Sequence, residues 1–174
     1  MIIAFFDGAT EPINPGGSMG IGAVVFRTSQ PEIIPMNGTI YFKRDNTWEQ
    51  LFEHAECIHK GERGFEITSN NVAEYIAFTK VVEFILLDMA KDKNETIYIL
   101  GDSKLVVEQM SNRWKMKAGI YIKFAKKAQE LFIELKRRNT NVNVHWISRD
   151  NNLADEVSKR DMIKRGVKFR IQPL

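Results

Sequence analysis

Three apolar segments of this chain run into a carboxylate or carry one. Ile2–Phe6 ends at Asp7, Thr96–Leu100 leads through Gly101 to Asp102, and the stripe Val72, Ile76, Val81, Ile85 and Leu86 has Glu74 set into it. A fold that buries these segments draws their carboxylates inward, where a lone charge is costly unless paired or bound to a metal. A fourth acid, Asp155, lies in NNLADEVSK near the carboxyl end. Hard divalent cations take oxygen ligands, and magnesium uses a few carboxylates together with water and substrate phosphates. The four acids point to a shared site for metal-dependent phosphoryl transfer.

The order of segments says how such a site can assemble. Ile2–Phe6, Gly20–Arg27 and Ile33–Phe42 read as three strands, the last two joined across Ser29-Gln30-Pro31, and short connections make an antiparallel meander. In Lys43–Glu66, Thr47 and Gln50 form a capping box, and Trp48, Leu51, Phe52, Ala55 and Ile58 recur at helical spacing up to Gly61. This predicts a helical insertion. His54, Cys57 and His59 within it match no common zinc spacing, so the segment reads as a packing helix. Ser69 caps a long helix running to about Met89, with Glu74 in its first turn, where the helix dipole alone also favours a carboxylate. Thr96–Leu100 is a strand turning through Gly101-Asp102-Ser103 into a helix, and a plain N-cap is the other reading of Asp102. Ile120–Arg138 is helical, Val142–Ile147 is the last strand and Leu153–Lys164 the last helix.

The expected fold is therefore α/β: a mixed five-stranded sheet, part antiparallel meander and part parallel, flanked by helices. Ligands in such sheets bind beyond the carboxyl ends of the parallel strands. Asp7 and Asp102 fall at such ends and lie side by side if the first and fourth strands are neighbours. Residues 1–174 read as one domain, with the insertion at about 43–66 and a basic tail at about 161–174. In that tail Val167, Phe169 and Ile171 alternate as an extra strand or an extended arm.

Net charge is only +3, yet Arg113–Arg138 holds nine basic residues against Glu130 and Glu134, and Lys159–Arg170 holds six against Asp161. Basic tracts around an acidic pocket suit a polyanionic substrate; a solvated helix face is the other reading. A lone cysteine, Cys57, excludes an internal disulfide and fits a reducing compartment. The start has no basic leader, and no apolar run approaches the roughly 20 residues needed to cross a bilayer. The expectation is a cytoplasmic protein with no membrane partner.

Four motifs carry a resemblance over nearly the whole chain. Asp7-Gly8-Ala9 followed by Asn14-Pro15-Gly16, Gly20 and Gly22, then SNNVAEYIA with Glu74, GDSKLVVEQM with Asp102 and NNLADEVSK with Asp155, resemble the type I ribonuclease H family. The resemblance implies hydrolysis of the RNA strand of an RNA·DNA hybrid, leaving 5′-phosphate and 3′-hydroxyl ends. Asp7, Glu74, Asp102 and Asp155 are then the carboxylates of a two-metal site holding Mg²⁺, with Mn²⁺ as a substitute; such ions lie roughly 4 Å apart about the scissile phosphate. Asn14, Asn70 and Asn71 resemble hybrid-contacting positions, where an amide can read a 2′-hydroxyl, and Ser69 resembles a phosphate position. Helix capping is the plainer reading of Asn70 and Asn71. Trp114, Lys115 and Lys117 in SNRWKMKAG resemble the substrate-handling segment, an aromatic face among charges, although Trp114 also suits a core.

The chain departs from the family in three places. Many members carry a histidine in the loop before the final aspartate, where this chain has Ser148-Arg149-Asp150-Asn151-Asn152. His145 precedes that loop, within the strand. Arg149, Asp150 and Asn151 are auxiliary candidates, with Asn152 the alternative to Asn151, and a slower or more metal-dependent enzyme is expected. The 43–66 insertion covers a sheet edge or docks a replication-associated protein, and the tail is basic. Two rival functions remain. One is a non-catalytic hybrid-binding or protein-docking module, which loss of a carboxylate would favour. The other is a different nuclease of the superfamily, although Asp7-Gly8-Ala9 lacks the second acid of the Asp-x-Glu motif that opens proofreading exonucleases.

Overall fold

The computed structural model describes residues 1–29, 32–36, 39–88 and 94–171. Strands β1 (Ile2–Glu11) and β2 (Ser18–Arg27) form an antiparallel pair, and β5 (Glu49–Ile58) adds to the far side of β2. On the other side β1 pairs in parallel with β6 (Ile97–Gly101), which pairs in parallel with β7 (Val142–Trp146), giving the order β5-β2-β1-β6-β7. The mixed five-stranded sheet is the one expected.

Strand alternation sorts the core into two faces. Ile2, Ala4 and Phe6 of β1 and Ile21, Ala23 and Val25 of β2 pack against α1 (Asn70–Asp88). Helix α1 is buried on more than one side, between the sheet and α3 (Ile122–Arg138), which explains its apolar residues all round. Helix α3 is amphipathic and buries Ala125, Ala128, Phe132 and Leu135 at helical spacing. On the opposite sheet face, Ile3, Phe5, Val24, Phe26 and Leu100 are covered by Ile40, Phe42 and Trp48. Short α2 (Lys104–Met110) follows β6, and α4 (Asp155–Lys164) lies against β2 and β5.

Two expectations need correction. The segment read as a third meander strand, Ile33–Phe42, is a separate hairpin, β3 (Glu32–Met36) and β4 (Thr39–Lys43), lying over the second sheet face. The helix expected within 43–66 is instead β5, the true third meander strand, followed by a 3₁₀ turn at Glu62–Gly64. Two features of β5 imitated a helix. A bulge between Val25 and Phe26 makes Leu51 an extra residue, so Leu51 and Phe52 both pack on the α1 core. Charged residues also occupy positions that alternation would make apolar, because each has a partner: Glu56 takes His54 and Arg63, and Glu53 takes Arg160. The amphipathic helix on which docking of a replication-associated protein was expected is thus absent among the described residues, and nothing else supports that partner.

Smaller differences follow. Met89 and residues 172–174 lie outside the described residues, as does most of the Ser29-Gln30-Pro31 turn. Beyond α4 the described tail is an arm, not a strand: it turns at Gly166 and buries Phe169 beside Cys57 and Met162. No helix among the described residues is long and apolar enough to cross a membrane.

Candidate active site

The parallel pairing of β1 with β6 stops at Phe6 opposite Gly101. The next residues on the two strands are Asp7 and Asp102, so the pairing ends on two carboxylates. Strand β1 continues to Glu11 against β2 alone. Asp7 is thus inside a long strand, not at its end as expected, but the end of the parallel ladder still sets it beside Asp102.

Glycines bring the helices to this point. A Cβ on Gly8 would overlap the backbone of Ala73 and Glu74, so glycine there lets α1 press onto β1. Glu74 sits one residue past the first turn of α1, and the nearby Gly8 backbone N–H partly offsets the burial of its carboxylate. Gly22 pairs with Asp7 across the ladder, and a Cβ there would lie 2.5 Å from the Ser158 nitrogen and 2.6 Å from the Ala154 carbonyl oxygen. The spacing of Gly20 and Gly22, visible in the sequence, has this packing meaning: it seats α4 on β2. The Ser158 hydroxyl then donates to Asp7 Oδ2 at 2.6 Å. Asn152 donates to the Phe6 carbonyl at 3.0 Å and to Asp102 Oδ1 at 3.5 Å, and Trp146 Nε1 donates to the Asp102 carbonyl at 3.0 Å.

One carboxylate oxygen from each of Asp7, Glu74 and Asp102 lies within 4.8 Å of the others. Asp7 is 4% exposed and Glu74 8%. Burial, then the charge of Asp102, pushes Asp7 well above the ordinary carboxylate range. Burial, then Asp7 and Asp102, does the same to Glu74, and burial raises Asp102. Glu74 Oε2 is buried without a hydrogen-bond partner among the described residues. Three hard oxygen donors crowded together, one of them orphaned, fit a divalent cation, which would relieve the repulsion that raises their pKa values.

Asp155 stands outside this trio. It begins α4, and its carboxylate accepts Arg149 Nε and Lys159 Nζ, each at 3.1 Å, although its charge still reaches Asp7 and Asp102. Asn70 lines the same cavity as the trio, with Arg149 and Arg170 also in its wall. Asn14 accepts the Asn70 backbone N–H at 2.9 Å, and Ser69 caps α1 by accepting the Val72 N–H at 3.2 Å. Asn71 is exposed. Trp114, Lys115 and Lys117 line a different cavity with Leu105, Gln109 and Tyr121, and Trp114 is 49% exposed rather than a core anchor. Gln109 fixes that segment by donating to the Lys115 carbonyl and the Tyr121 hydroxyl while accepting from Tyr75. Much of the basic tract is internally paired: Arg113 with Glu108, Lys127 with Glu83, Arg137 and Arg138 with Glu134. In the loop, Asp150 is exposed and Asn151 turns back to Ser148, so Asn152 is the asparagine that reaches the carboxylates. His145 packs beside Tyr98 on the sheet.

Sequence reasoning missed Ser158, Glu11 and Arg170. Ser158 had a signal, since it lies three residues after Asp155 and so on the same helix face.

A family model described as reverse transcriptase-like matches residues 54–160, from within β5 to within α4. The chain belongs to the type I ribonuclease H family. The N-terminal RNase H domain of Rv2228c from Mycobacterium tuberculosis, solved as a fusion with maltose-binding protein, is 28% identical, with a TM-score of 0.64 over 91% of this chain and 96% of that one. LC11-RNase H1 in complex with an RNA/DNA hybrid is 26% identical, with a TM-score of 0.69 over 95% of this chain and 99% of that one. LC11-RNase H1 isolated from compost is 30% identical, with a TM-score of 0.63 over 94% and 96%. Among curated relatives, the bifunctional protein Rv2228c of M. tuberculosis is 33% identical over 111 residues, 63% of this chain. That match covers only 28% of the relative's length. The ribonuclease H fold of these structures is the five-stranded sheet found here.

Proposed function

We propose that this protein is an endoribonuclease that hydrolyses the RNA strand of RNA·DNA hybrids in the cytoplasm. The observation that carries the reading is the convergence of the buried Asp7 and Glu74 with the half-buried Asp102, brought by β1, α1 and the end of β6, within 4.8 Å. Family membership and likeness to a structure holding a hybrid support it.

Asp7, Glu74 and Asp102 would hold Mg²⁺, with Mn²⁺ as a substitute, and Asp155 would be the fourth carboxylate of a two-metal site. Magnesium there supplies Lewis-acid stabilisation of the phosphate and a more acidic water at neutral pH. Ser158 fixes the rotamer of Asp7, and Asn152 that of Asp102. Arg149 balances Asp155 until substrate arrives. Asn14, Ser69, Asn70 and Asn71 follow the chain around the α1 N-terminus and contact the hybrid, where an amide can recognise a 2′-hydroxyl. Trp114, Lys115 and Lys117 grip the sugar–phosphate track on the other flank. Products carry 5′-phosphate and 3′-hydroxyl ends.

The test is a labelled hybrid, with single-stranded RNA, double-stranded RNA and double-stranded DNA as controls, in Mg²⁺, Mn²⁺ or EDTA. Metal-dependent cutting of RNA in the hybrid alone, lost in Asp102→Asn, is the expected result. Tight hybrid binding without cutting would instead make this a binding module, and cutting of DNA another nuclease.

A further inference from the structure

The C-terminal arm ends its described course at the acidic cavity. Phe169 is buried with Cys57 and Met162, with Ala9 and Val167 packed alongside, and this fixes the register of the arm. The next residue, Arg170, turns back onto β1. Its backbone N–H donates to Glu11 Oε2 at 3.0 Å, its Nε to the same oxygen at 3.1 Å, and its Nη2 to the Thr10 carbonyl at 3.0 Å. The guanidinium thereby lines the cavity that Asp7, Glu74 and Asp102 line.

We propose that Arg170 is a phosphate contact for the strand being cut, delivered to the lip of the carboxylate cavity by the C-terminal arm. This rests on the hybrid-cutting function proposed above. Three observations carry it. First, the fork is pinned on Glu11 and Thr10 through Nε and Nη2, while Nη1 has no hydrogen-bond partner among the described residues, and a guanidinium already oriented loses little freedom on binding a phosphate. Second, two residues of the cavity wall, Thr10 and Asn70, each carry a buried polar atom without a partner among the described residues, Oγ1 and Oδ1. Buried polar atoms are normally satisfied, so these two leave hydrogen-bonding capacity at the cavity for a bound group or water. Third, the cavity floor is acidic, and a phosphodiester entering it needs cations in the walls. Arg149 on one wall is paired with Asp155, and Arg170, paired with Glu11, stands on the β1 edge, where β1 has run past the end of β6. That position is beside the carboxylates, so the phosphate it meets belongs to the strand they act on. As a stabilising device the Arg170–Glu11 pair would be weak, because the arginine side chain is 51% exposed.

The experiment uses the full chain, with Arg170→Gln made in the wild type and in the Asp102→Asn background. Wild-type hybrid cutting is measured first; if there is none, the proposed function and this inference fall together. In the Asp102→Asn background, binding of a short labelled hybrid is followed by anisotropy across a salt series. Losing one phosphate contact should weaken binding roughly five- to tenfold and lower the slope of log K against log salt by about one. In the cutting enzyme the same change should raise KM with kcat held within about twofold. Hybrids with a single uncharged methylphosphonate linkage then locate the contact. One RNA-strand linkage should weaken binding without, but not with, the Arg170→Gln change. Should the Gln variant not fold, Arg170→Lys keeps the charge and should keep the salt slope while losing most of the single-linkage sensitivity. A lowered melting temperature with an unchanged salt slope would make Arg170 a structural clip and overturn the proposal. Sensitivity at a DNA-strand linkage would overturn the assignment to the cut strand.

Discussion

The carboxylate trio makes the metal-free fold fight itself, and Asp102→Asn tests this. With ligand oxygens within 4.8 Å, each pair of full charges repels by at least about 3.5 kcal/mol at an effective dielectric of about 20. The protein avoids most of that by holding protons: burial and mutual repulsion raise Asp7, Glu74 and Asp102 above the ordinary range. An acid whose folded pKa is raised binds more protons folded than unfolded, so stability falls as pH rises from the unfolded carboxylate pKa through the folded one. Asparagine at position 102 keeps the side-chain shape and removes two of the three repulsive pairs. With protonation already relieving part of the strain, a gain of about 1–3 kcal/mol is expected in EDTA at pH 7.5, or about 3–9 °C in melting temperature for a chain of this size. The gap should narrow as pH falls through the raised range of these carboxylates and the wild type takes up protons. Magnesium should reverse the order, because it stabilises whichever protein binds it, and the variant has lost a ligand. Differential scanning fluorimetry across pH, with EDTA or saturating Mg²⁺, reads all three effects. A variant less stable than wild type in EDTA at pH 7.5, or a wild type unmoved by magnesium, would refute the reasoning.

Three further perturbations follow from the same geometry. Gly22→Ala puts a methyl against the Ser158 nitrogen and the Ala154 oxygen, both backbone, so α4 must shift; a loss of about 3 kcal/mol by urea titration and near-complete loss of hybrid cutting are expected. Ser158→Ala removes the hydrogen bond to Asp7, with a stability loss of about 1 kcal/mol and weaker magnesium binding by calorimetry at unchanged fold. Replacing Lys115 and Lys117 together by Gln should flatten the salt dependence of hybrid affinity by roughly two, with no change in melting temperature, since both side chains are exposed.

Legibility followed distance along the chain. The juxtaposition of Asp7 and Asp102 was readable because it needs only two facts, a strand before each acid and parallel neighbours, and the ladder supplies both. The Ser69 cap and the amphipathic α3 were readable because their signals are local. Strand β5 was not. Its inward charges are satisfied by Arg63 and Arg160, one of them more than a hundred residues away, and a bulge broke its period at Leu51. Once β5 read as a helix, β3 and β4 were forced into the vacant strand position, so one misread element displaced its neighbour. Arg170 was illegible for the same reason: its partners, Thr10 and Glu11, lie at the other end of the chain.

The site shows which contacts the fold had to solve first. Asp7, Glu74 and Asp102 arrive on β1, α1 and the end of β6, none of them next to another in sequence, and each helix that approaches does so over a glycine. Gly8 admits α1, and Gly22 admits α4. A side chain at either position would improve local strand propensity, since glycine weakens a strand interior. The glycines stand where helix backbone must come within touching distance of β1 or β2, and those are the two places where a carboxylate or its supporting hydroxyl must reach Asp7. Asp155 makes the contrast. It rides on α4, seated by the same glycine contact, yet Arg149 and Lys159 hold it aside from the trio. Backbone therefore meets backbone on both the α1 and the α4 side of the cavity, and what differs is that ion pairs to Arg149 and Lys159 set the position of the fourth acid.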